Sequence, residues 1–535
     1  MSEYSHIKTH KFAELDSTSD EVQSLLSQGI NPPFVVWASK QLKGRGRRGR
    51  SWQSGEGNLF LTFALPPHSS KTIEIGLLPI AAAAIVAQWI KSFYSISVRI
   101  KWPNDLVFQG RKLGGILCES SIQGKEWGDI SIGIGLNLNT APDNTGLAYR
   151  CTSIRGILAD DSVFLDVEEA RDSFIEYFYS SWLSLDQQKI IAAYSDFALP
   201  AGQPVYFCQK KELFLTSGLE IDGSLRLESA VNPGEIIPLS SVNHECEWLY
   251  IDYIKSNDLH EEAFGVPNLP FLCLDIGNSL IKIFSFESWK NEFPSFVFAV
   301  SPQELPRKKL VELFPTKVLS FLEKMPGWPV YCSSVSPEAY QCAKLFFSDA
   351  GVRLIDVEKN PVFYQDGAYE LSDLGIDRLA LLEGWLRCLS PQERRRNDVL
   401  AFVISAGTAT TVDVISNEGY HFGGYILPGM QLILDALADS TGLLPEIELR
   451  TMTDVLCFKR RIASNTLMAM LDGALLMTVG GIEKIIKEVC SELGKQYRET
   501  KVVVTGGNAA FLEKELKGSL CNDLMPSGIR TLCGL

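Results

Sequence analysis

The amino-acid sequence predicts a multidomain α/β protein, and three observations carry that expectation. At 535 residues the chain has room for roughly three or four domains of ordinary size. Strand-like apolar runs alternate with helical stretches over its first third. In the second half, an apolar strand, a tight glycine turn and a second strand occur twice, at FLCLDIGNSLIKIFSF and LAFVISAGTATTVDVIS. Two such hairpins half a domain apart predict an internally duplicated unit with a cleft between its halves, and their spacing is too long for a solenoid.

Over residues 1–195, FVVWAS, NLFLTFAL, VRIKWPNDLVF and ISIGIGLNLN read as strands, and LLPIAAAAIVAQWIKSF reads as a helix. Residues 196–250 turn to short strands, PVYFCQ, LFLTSGLEI and SLRLES, with Asp222-Gly223 at a hairpin turn, which predicts a small β-barrel. Residues 251–269 are polar with Gly and Pro and read as a linker, and residues 270–535 form the duplicated unit.

The composition is 46% hydrophobic and 21% charged, as in a soluble globular protein. A net charge of −14 disfavours general polyanion binding, so any nucleic-acid contact has to be local. Twelve cysteines are scattered, with no CxxC pair and no zinc-ligand spacing, which fits a reducing cytoplasm. The start, MSEYSHIKTHKF, lacks a signal-peptide core, and no apolar run reaches membrane-spanning length.

Against that acidic background, GRGRRGR packs four arginines and three glycines into Gly44–Arg50. Glycine lets the backbone come close to a ligand, and arginine offers forked donors matched to phosphate or carboxylate oxygens. On charge alone, a nucleic-acid arm and a mobile loop closing over an anion remain equally open. The neighbouring stretches are ELDSTSDE (14–21), KWPNDLVF (101–108), RKLGGILCES (111–120) and GIGLNLN (133–139). The whole set, in this order, resembles biotin–protein ligases over about residues 10–248.

That resemblance implies an α/β ligase domain with a small SH3-like β-barrel behind it. It implies ATP-dependent formation of biotinyl-5′-adenylate and transfer of biotin to a lysine on the biotin carboxyl-carrier domain of a carboxylase. Ser17, Thr18 and Gln41 match the polar contacts to biotin, with Ser19 where Asn is common. Arg45, Gly46 and Arg47 belong to the loop that covers the intermediate, and Trp52 matches an adenine-packing aromatic. Lys112 matches the lysine that bridges the biotin carboxylate and the α-phosphate, Asp105 is a Mg²⁺-side carboxylate, and Asn137 is a nucleotide contact. Trp102-Pro103 reads as packing. Lipoate or octanoate transfer uses a related fold, and octanoyl transfer needs a cysteine nucleophile; Cys118 and Cys151 show no His partner. Only about 15 residues precede the Ser-Thr pair, too few for a helix–turn–helix, so no sequence-specific DNA binding is expected.

In the duplicated unit, DIGNSLIK puts Asp275, Gly277, Asn278, Ser279 and Lys282 on one hairpin, and SAGTATTVD puts Thr408 on the other. Backbone amides of a glycine turn can cradle phosphate, although neither hairpin is a Walker A sequence. These stretches together with AYELSDLGIDRLALLEG, FGGYILPGM, STGLLP, the apolar helix from 464 and VVVTGGN resemble type III pantothenate kinases over about residues 270–535. The resemblance implies an actin-like, sugar-kinase-superfamily fold of two RNase-H-like halves, and ATP-dependent phosphorylation of pantothenate. Asp377 matches the proton acceptor, with Arg378 beside it; Gly375, Ile376 and Tyr369 match substrate contacts. Thr466 matches a threonine that reaches substrate across a dimer interface, which implies a homodimer through this half. Ser279 stands for the usual Thr and Ser372 for a usual Pro. Ser405 replaces an Asp that ligates a monovalent cation, which removes one charge from a K⁺ or NH₄⁺ site. The chain as a whole resembles a fusion of the two enzymes; a ligase with a non-catalytic, regulatory second half is the alternative.

Overall fold

The computed structural model describes residues 7–533 apart from 48–50, 54, 67–73, 124–125, 143–150, 159–163, 208–211, 233, 241–247, 251–269, 287–293, 325–326, 366, 368, 450–461 and 494–498. The stretch read as a linker, 251–269, therefore lies outside the described residues.

The first part is a seven-stranded mixed sheet. In chain order its elements are β1 (Lys8–Leu15), α1 (Thr18–Ser27), β2 (Phe34–Gln41), a small ribbon of β3 (Gly44–Arg45) and β4 (Ser51–Trp52), and β5 (Leu59–Leu65). There follow α2 (Leu78–Tyr94), β6 (Arg99–Lys101), β7 (Asp105–Phe108), β8 (Arg111–Gln123), β9 (Glu126–Leu136), α3 (Ile154–Leu158), α4 (Val167–Leu183) and α5 (Gln187–Phe197). The sheet order is β1-β2-β5-β9-β8-β7-β6, parallel only between β1 and β2. Helix α2 is apolar on nearly every side and is buried between the sheet and helices α4 and α5, as an all-round apolar helix requires. The Asp166 carboxylate caps α4 by accepting from the amides of Glu168 and Glu169.

The stretch expected as a barrel forms a five-stranded antiparallel sheet of β10 (Pro204–Phe207), β11 (Glu212–Leu219), β12 (Leu225–Ser229), β13 (Ile236–Leu239) and β14 (Trp248–Tyr250), ordered β13-β12-β11-β10-β14. Successive side chains of a strand point to opposite faces, and β11 buries both. Phe214 joins the core of the first part, with Val205, Leu225, Leu227 and Leu239. Leu213 and Leu215 join the core of the second part, with Ala230. Polar contacts follow the same seams. The Trp102 indole donates to Gly223 O at 3.0 Å, the Tyr331 hydroxyl to Gly202 O at 3.2 Å, and Gln203 to Cys533 O at 3.2 Å. Arg353 pairs with Glu228 at 2.7 Å.

The second part holds two five-stranded sheets of one topology. The first has β15 (Phe271–Ile276), β16 (Ile281–Phe286), β17 (Phe296–Val300), β18 (Pro329–Ser334) and β19 (Arg353–Asp356), ordered β17-β16-β15-β18-β19. The second has β20 (Val399–Ala406), β21 (Ala409–Ser416), β22 (His421–Pro428), β23 (Glu499–Thr505) and β24 (Ser519–Leu520), ordered β22-β21-β20-β23-β24. In each, three strands form an antiparallel meander and two more add in parallel. The helices are α6 (Leu310–Leu313), α7 (Thr316–Lys324), α8 (Pro337–Asp349), α9 (Ile376–Cys388), α10 (Pro391–Arg394), α11 (Met430–Ser440), α12 (Thr466–Leu493), α13 (Ala509–Leu516) and α14 (Leu524–Leu532).

Helices α9 and α14 touch backbone to backbone. A β-carbon on Gly528 would collide with the Ala380 carbonyl, and one on Gly384 with the Leu524 carbonyl. Alanine at 528 gains about 1 kcal/mol of helix propensity, but forcing the helices apart costs about 1–3 kcal/mol, and the obstacle is backbone that cannot swing away. Gly528→Ala is therefore expected to destabilise the protein, seen as a lowered melting temperature in a thermal melt.

Candidate functional site

The residues singled out in the first part converge on one side of the seven-stranded sheet. Ser17, Thr18 and Ser19 open α1 and are buried. Gln41, at the end of β2, accepts from the Thr18 amide at 2.8 Å and the Thr18 hydroxyl at 3.1 Å. Thr62, which sequence reasoning passed over, bonds the hydroxyls of Thr18 at 2.8 Å and Ser19 at 3.3 Å. It sat unremarked in the apolar run NLFLTFAL, where a single buried hydroxyl was the available signal.

Trp52 lies on two glycines. A β-carbon on Gly135 would stand 2.6 Å from its Cε2, and one on Gly115 would stand 3.0 Å from its Cζ3. Only bare backbone lets the indole lie flat on β8 and β9. Lys112 Nζ sits 5.4 Å from the Trp52 ring centroid and 2.6 Å from Asp105 Oδ1, with both charged side chains largely buried. The site thus presents a fixed cation beside a flat aromatic, an arrangement suited to a phosphate attached to a planar base. Asn137 donates to Thr152 O at 3.0 Å, and its own buried Oδ1 has no hydrogen-bond partner among the described residues.

Of the arginine-glycine run, Arg45, Gly46 and Arg47 are described, and Arg48, Gly49 and Arg50 lie outside the described residues. Arg45 pairs with Asp20 at 2.8 Å and Glu119 at 2.6 Å, and Arg47 donates to Asn104 Oδ1 at 3.2 Å. Two of the run's charges thus meet acceptors of the protein itself. Burial pushes the Cys118 thiol up to about 12 and raises the Cys151 thiol as well, which is the opposite of what a nucleophilic cysteine needs.

In the second part, the two glycine hairpins meet: the Ser279 hydroxyl lies 2.9 Å from that of Thr408. Asp275 is the penultimate residue of β15, the turn Gly277–Asn278–Ser279 follows the strand, and Lys282 on β16 returns its ammonium to 3.8 Å from the Asp275 carboxylate. Asp377 stands in the first turn of α9, with Gly375 as its N-cap residue and Ile376 as its first helical residue. A β-carbon on Gly375 would stand 2.5 Å from Asp377 Oδ1. Burial pushes the Asp275 carboxyl up to about 6, with the neighbouring charge of Asp377 adding to the rise and Lys282 opposing it. Burial also raises Asp377.

Arg378 does more than stand beside Asp377. Its guanidinium forks onto Asp413, Nη2 to Oδ1 at 2.6 Å and Nε to Oδ2 at 3.1 Å, with side chains 7% and 3% exposed. It lies 5.1 Å from the ring centroid of Tyr369 and reaches that residue's hydroxyl at 3.4 Å. Behind Asp413 stands His421, Nε2 at 3.0 Å, and behind His421 the Tyr364 hydroxyl at 3.3 Å. Asp413, His421 and Tyr364 were not anticipated; a carboxylate inside the apolar strand TTVDVIS was the one signal for them. Ser405 sits on β20 opposite Thr411 and Thr505. Thr466 begins α12, exposed, without a hydrogen bond to the other residues named here among the described contacts.

The class these features define is a tandem of two α/β units, each carrying a cluster of buried charged side chains. The biotin/lipoate A/B protein ligase family model matches residues 12–137, and the type III pantothenate kinase model matches residues 271–488. The biotin–[acetyl-CoA-carboxylase] ligase of Paracoccus denitrificans is 35% identical over 161 residues, 30% of this chain and 67% of that protein. The chain belongs to the biotin/lipoate ligase family in its first part, and its second part is similar to type III pantothenate kinases. The type III pantothenate kinase of Dehalococcoides mccartyi is 36% identical over 133 residues, 25% of this chain. The chain spans only 46% of that kinase's length. A solved structure of biotin protein ligase from Aquifex aeolicus in complex with biotin and ATP is 23% identical and covers 45% of this chain and 99% of its own. Its TM-score is 0.38.

Breaking a buried ion pair from one side leaves the other charge stranded, at a cost of about 3–5 kcal/mol. Asp413→Asn, which keeps the shape and removes the charge, is expected to approach that cost, read as a large fall in melting temperature, while Asp20→Asn at the exposed Arg45 pair is expected to cost at most about 1 kcal/mol.

Proposed function

We propose that the chain is a bifunctional enzyme. Its first part joins biotin to ATP as biotinyl-5′-adenylate and passes biotin to a lysine of a carboxylase carrier domain; its second part transfers the γ-phosphoryl of ATP to pantothenate, the first step of coenzyme A synthesis. The observation that carries the reading is the presence of two separate charged sites, Lys112 with Asp105 over Trp52, and Asp377 with Asp275 and Lys282 between two joined glycine hairpins. The domain division that accompanies it is 1–195, 196–250, 251–269 and 270–535.

In the ligase, the polar cradle of Thr18, Ser19, Thr62 and Gln41 orients the biotin ring, and Trp52 stacks on the adenine. Lys112 is held by Asp105 where a carboxylate and an α-phosphate meet, so its charge draws two anions together and stabilises the charge that develops between them. Arg45 and Arg47 exchange Asp20, Glu119 and Asn104 for the adenylate when the loop covers it, and the covered acyl phosphate is shielded from water.

In the kinase, the Asp377 carboxylate accepts the proton of the pantothenate hydroxyl while Arg378 and Tyr369 position the substrate. The Asp413–His421–Tyr364 chain keeps Arg378 in one orientation. Lys282 and the amides of the Gly277 and Gly407 turns face the phosphates. Mg²⁺ would be held by one carboxylate at each site, Asp105 in the first part and Asp275 in the second, each now facing a lysine, together with the nucleotide phosphates, and would neutralise phosphate charge. With Ser405 supplying a hydroxyl, the kinase runs without a strong K⁺ or NH₄⁺ requirement. A dimer through the second half is supported by apolar side chains exposed on the edge strand and the long helix, Ile426, Leu476 and Met477. No helix among the described residues is long and apolar enough to cross a membrane. The setting we propose is cytoplasmic.

Lys112→Gln is expected to cut biotin-dependent pyrophosphate release by about a hundredfold or more and to leave pantothenate-dependent ADP release unchanged. Asp377→Asn is expected to do the reverse, lowering ADP release by about a hundred- to ten-thousandfold. Wild-type protein that releases no ADP with or without K⁺, yet still consumes biotin and ATP, would identify the second half as a regulatory module. The base acts only when deprotonated and its carboxyl lies above the ordinary range, with Asp275 beside it at about 6. Kinase turnover is therefore expected to fall on the acid side, at a pH above the ordinary carboxylate range, and to plateau at higher pH, in a pH–rate profile.

A further inference from the structure

We infer that Glu383 is a positioning residue of the kinase half, which sets its affinity for pantothenate by holding Tyr369 and Arg378 in place through residues 362–364. The inference takes its substrate from the kinase reading and its geometry from hydrogen bonds. Glu383 lies in the apolar run LALLEG of α9, six residues and about 9 Å along the helix axis from Asp377. It is fully buried. One of its carboxylate oxygens accepts from three successive amides, Val362 at 3.0 Å, Phe363 at 2.9 Å and Tyr364 at 2.7 Å. The other oxygen, equally buried, has no hydrogen-bond partner among the described residues. Burying a charge is costly, and the clamp on residues 362–364 is what this one is committed to.

The clamp is the first link of a path that returns to the helix it starts from. The Tyr364 hydroxyl donates to the carbonyl of Tyr369 at 3.2 Å and lies 3.3 Å from His421 Nδ1. His421 Nε2 meets Asp413 at 3.0 Å, and Asp413 takes both arms of the Arg378 fork. Arg378 Nη1 in turn reaches the Tyr369 hydroxyl at 3.4 Å. Glu383 and Arg378 are thus joined twice, once along α9 and once through side chains of the preceding segment and of the neighbouring sheet. Little slack lies between the clamp and Tyr369. The chain passes so close to His421 that a β-carbon on Gly367 would overlap its carbonyl oxygen. A displacement of residues 362–364 is therefore passed on to Tyr369 rather than absorbed.

Among the described residues the Glu383 carboxylate bonds that segment alone, and neither Asp377 nor the Gly277 and Gly407 turns. Loosening the clamp moves two pantothenate contacts and leaves the base and the ATP side where they are. Its effect therefore falls on substrate binding more than on the chemical step. Leucine at 383 keeps the bulk and removes the acceptor, whereas glutamine keeps an accepting oxygen. Phenylalanine at 364 keeps the ring and removes the hydroxyl that carries the path onward.

The test measures pantothenate affinity by calorimetry, and KM and kcat by ADP release, on the full chain. The variants are Glu383→Leu, Glu383→Gln, Tyr364→Phe and the double variant combining Glu383→Leu with Tyr364→Phe. Glu383→Leu and Tyr364→Phe are each expected to weaken pantothenate about tenfold, within the range that coupling through a packed network produces, with KM for ATP unchanged. Glu383→Gln is expected to stay within about threefold of wild type. The double variant is expected to be no weaker than the worse single one, because both changes break one path. A role in folding alone lowers the melting temperature and the active fraction, hence kcat, and leaves KM untouched; that outcome overturns the inference, and so do additive effects in the double variant. Should Glu383→Leu not fold, Glu383→Asp takes its place, since it keeps the charge but stands one methylene short of the three amides; an unmoved pantothenate affinity there overturns the inference. A wild-type chain that neither binds pantothenate nor releases ADP would sink the kinase reading and this role with it, whereas an active wild type with unmoved variants would sink the role alone.

Discussion

The strand Glu212–Leu219 holds the molecule together because it has no solvent face along Leu213–Leu215. Phe214 fills the core beside α2, and Leu213 and Leu215 fill the core beneath Phe271 and Trp328. Each such side chain is worth about 1.5–3 kcal/mol when fully buried, so three consecutive residues weld two enzymes. A one-residue slip of register would exchange the faces and empty both cores. The neighbouring polar contacts, Trp102 to Gly223 and Arg353 to Glu228, add direction to a weld that is hydrophobic in origin.

Within each enzyme the common device is a glycine that lets something flat or charged sit on bare backbone. Gly115 and Gly135 make room for the Trp52 ring, and Gly375 makes room for the Asp377 carboxylate. Electrostatics then separates the two sites. Lys112 and Asp105 are paired and nearly balanced. Asp275 and Asp377 repel each other, with Lys282 as the counter-charge 3.8 Å from Asp275. A balanced pair holds a lysine in its charged form, whereas an excess of buried carboxylate raises the affinity of the pair for a proton.

Much of this was legible in the sequence, and the reasons for the rest are physical. The helix over 78–94 and the hairpins at Gly277 and Gly407 are local, set by periodicity and by turn chemistry, and they read directly. Thr18 with Gln41, and Asp105 with Lys112 and Trp52, were read from ordered motifs, and folding places each group in contact. The Arg378–Asp413–His421–Tyr364 chain was not legible, because its members lie up to 57 residues apart and join only through strand pairing. The carboxylate partners of Arg45 were equally hidden, since Asp20 and Glu119 come from elements that meet only in the folded sheet. The double-sided burial of the middle strand escaped for another reason: an apolar run reads alike whether one partner or two cover it.

Arg99 shows what kind of connection the weld makes. It begins β6, three residues before Trp102, and donates across the seam to the carbonyls of Asn360, at 2.7 Å, and Pro361, at 3.1 Å. The next three amides, of Val362, Phe363 and Tyr364, all donate to one oxygen of Glu383 at 2.7–3.0 Å. Glu383 lies on the helix that begins with Asp377, and Tyr364 reaches the Arg378 network through His421. Burial lowers Arg99 to about 10 and raises Glu383, yet the opposite charges favour each other's ionised form across the seam. A coupling that switches needs an element with two arrangements. Here one carboxylate oxygen is committed to three amides and one guanidinium to fixed carbonyls, so the link is a strut. It fixes the helix that begins with Asp377 against the sheet of the first part.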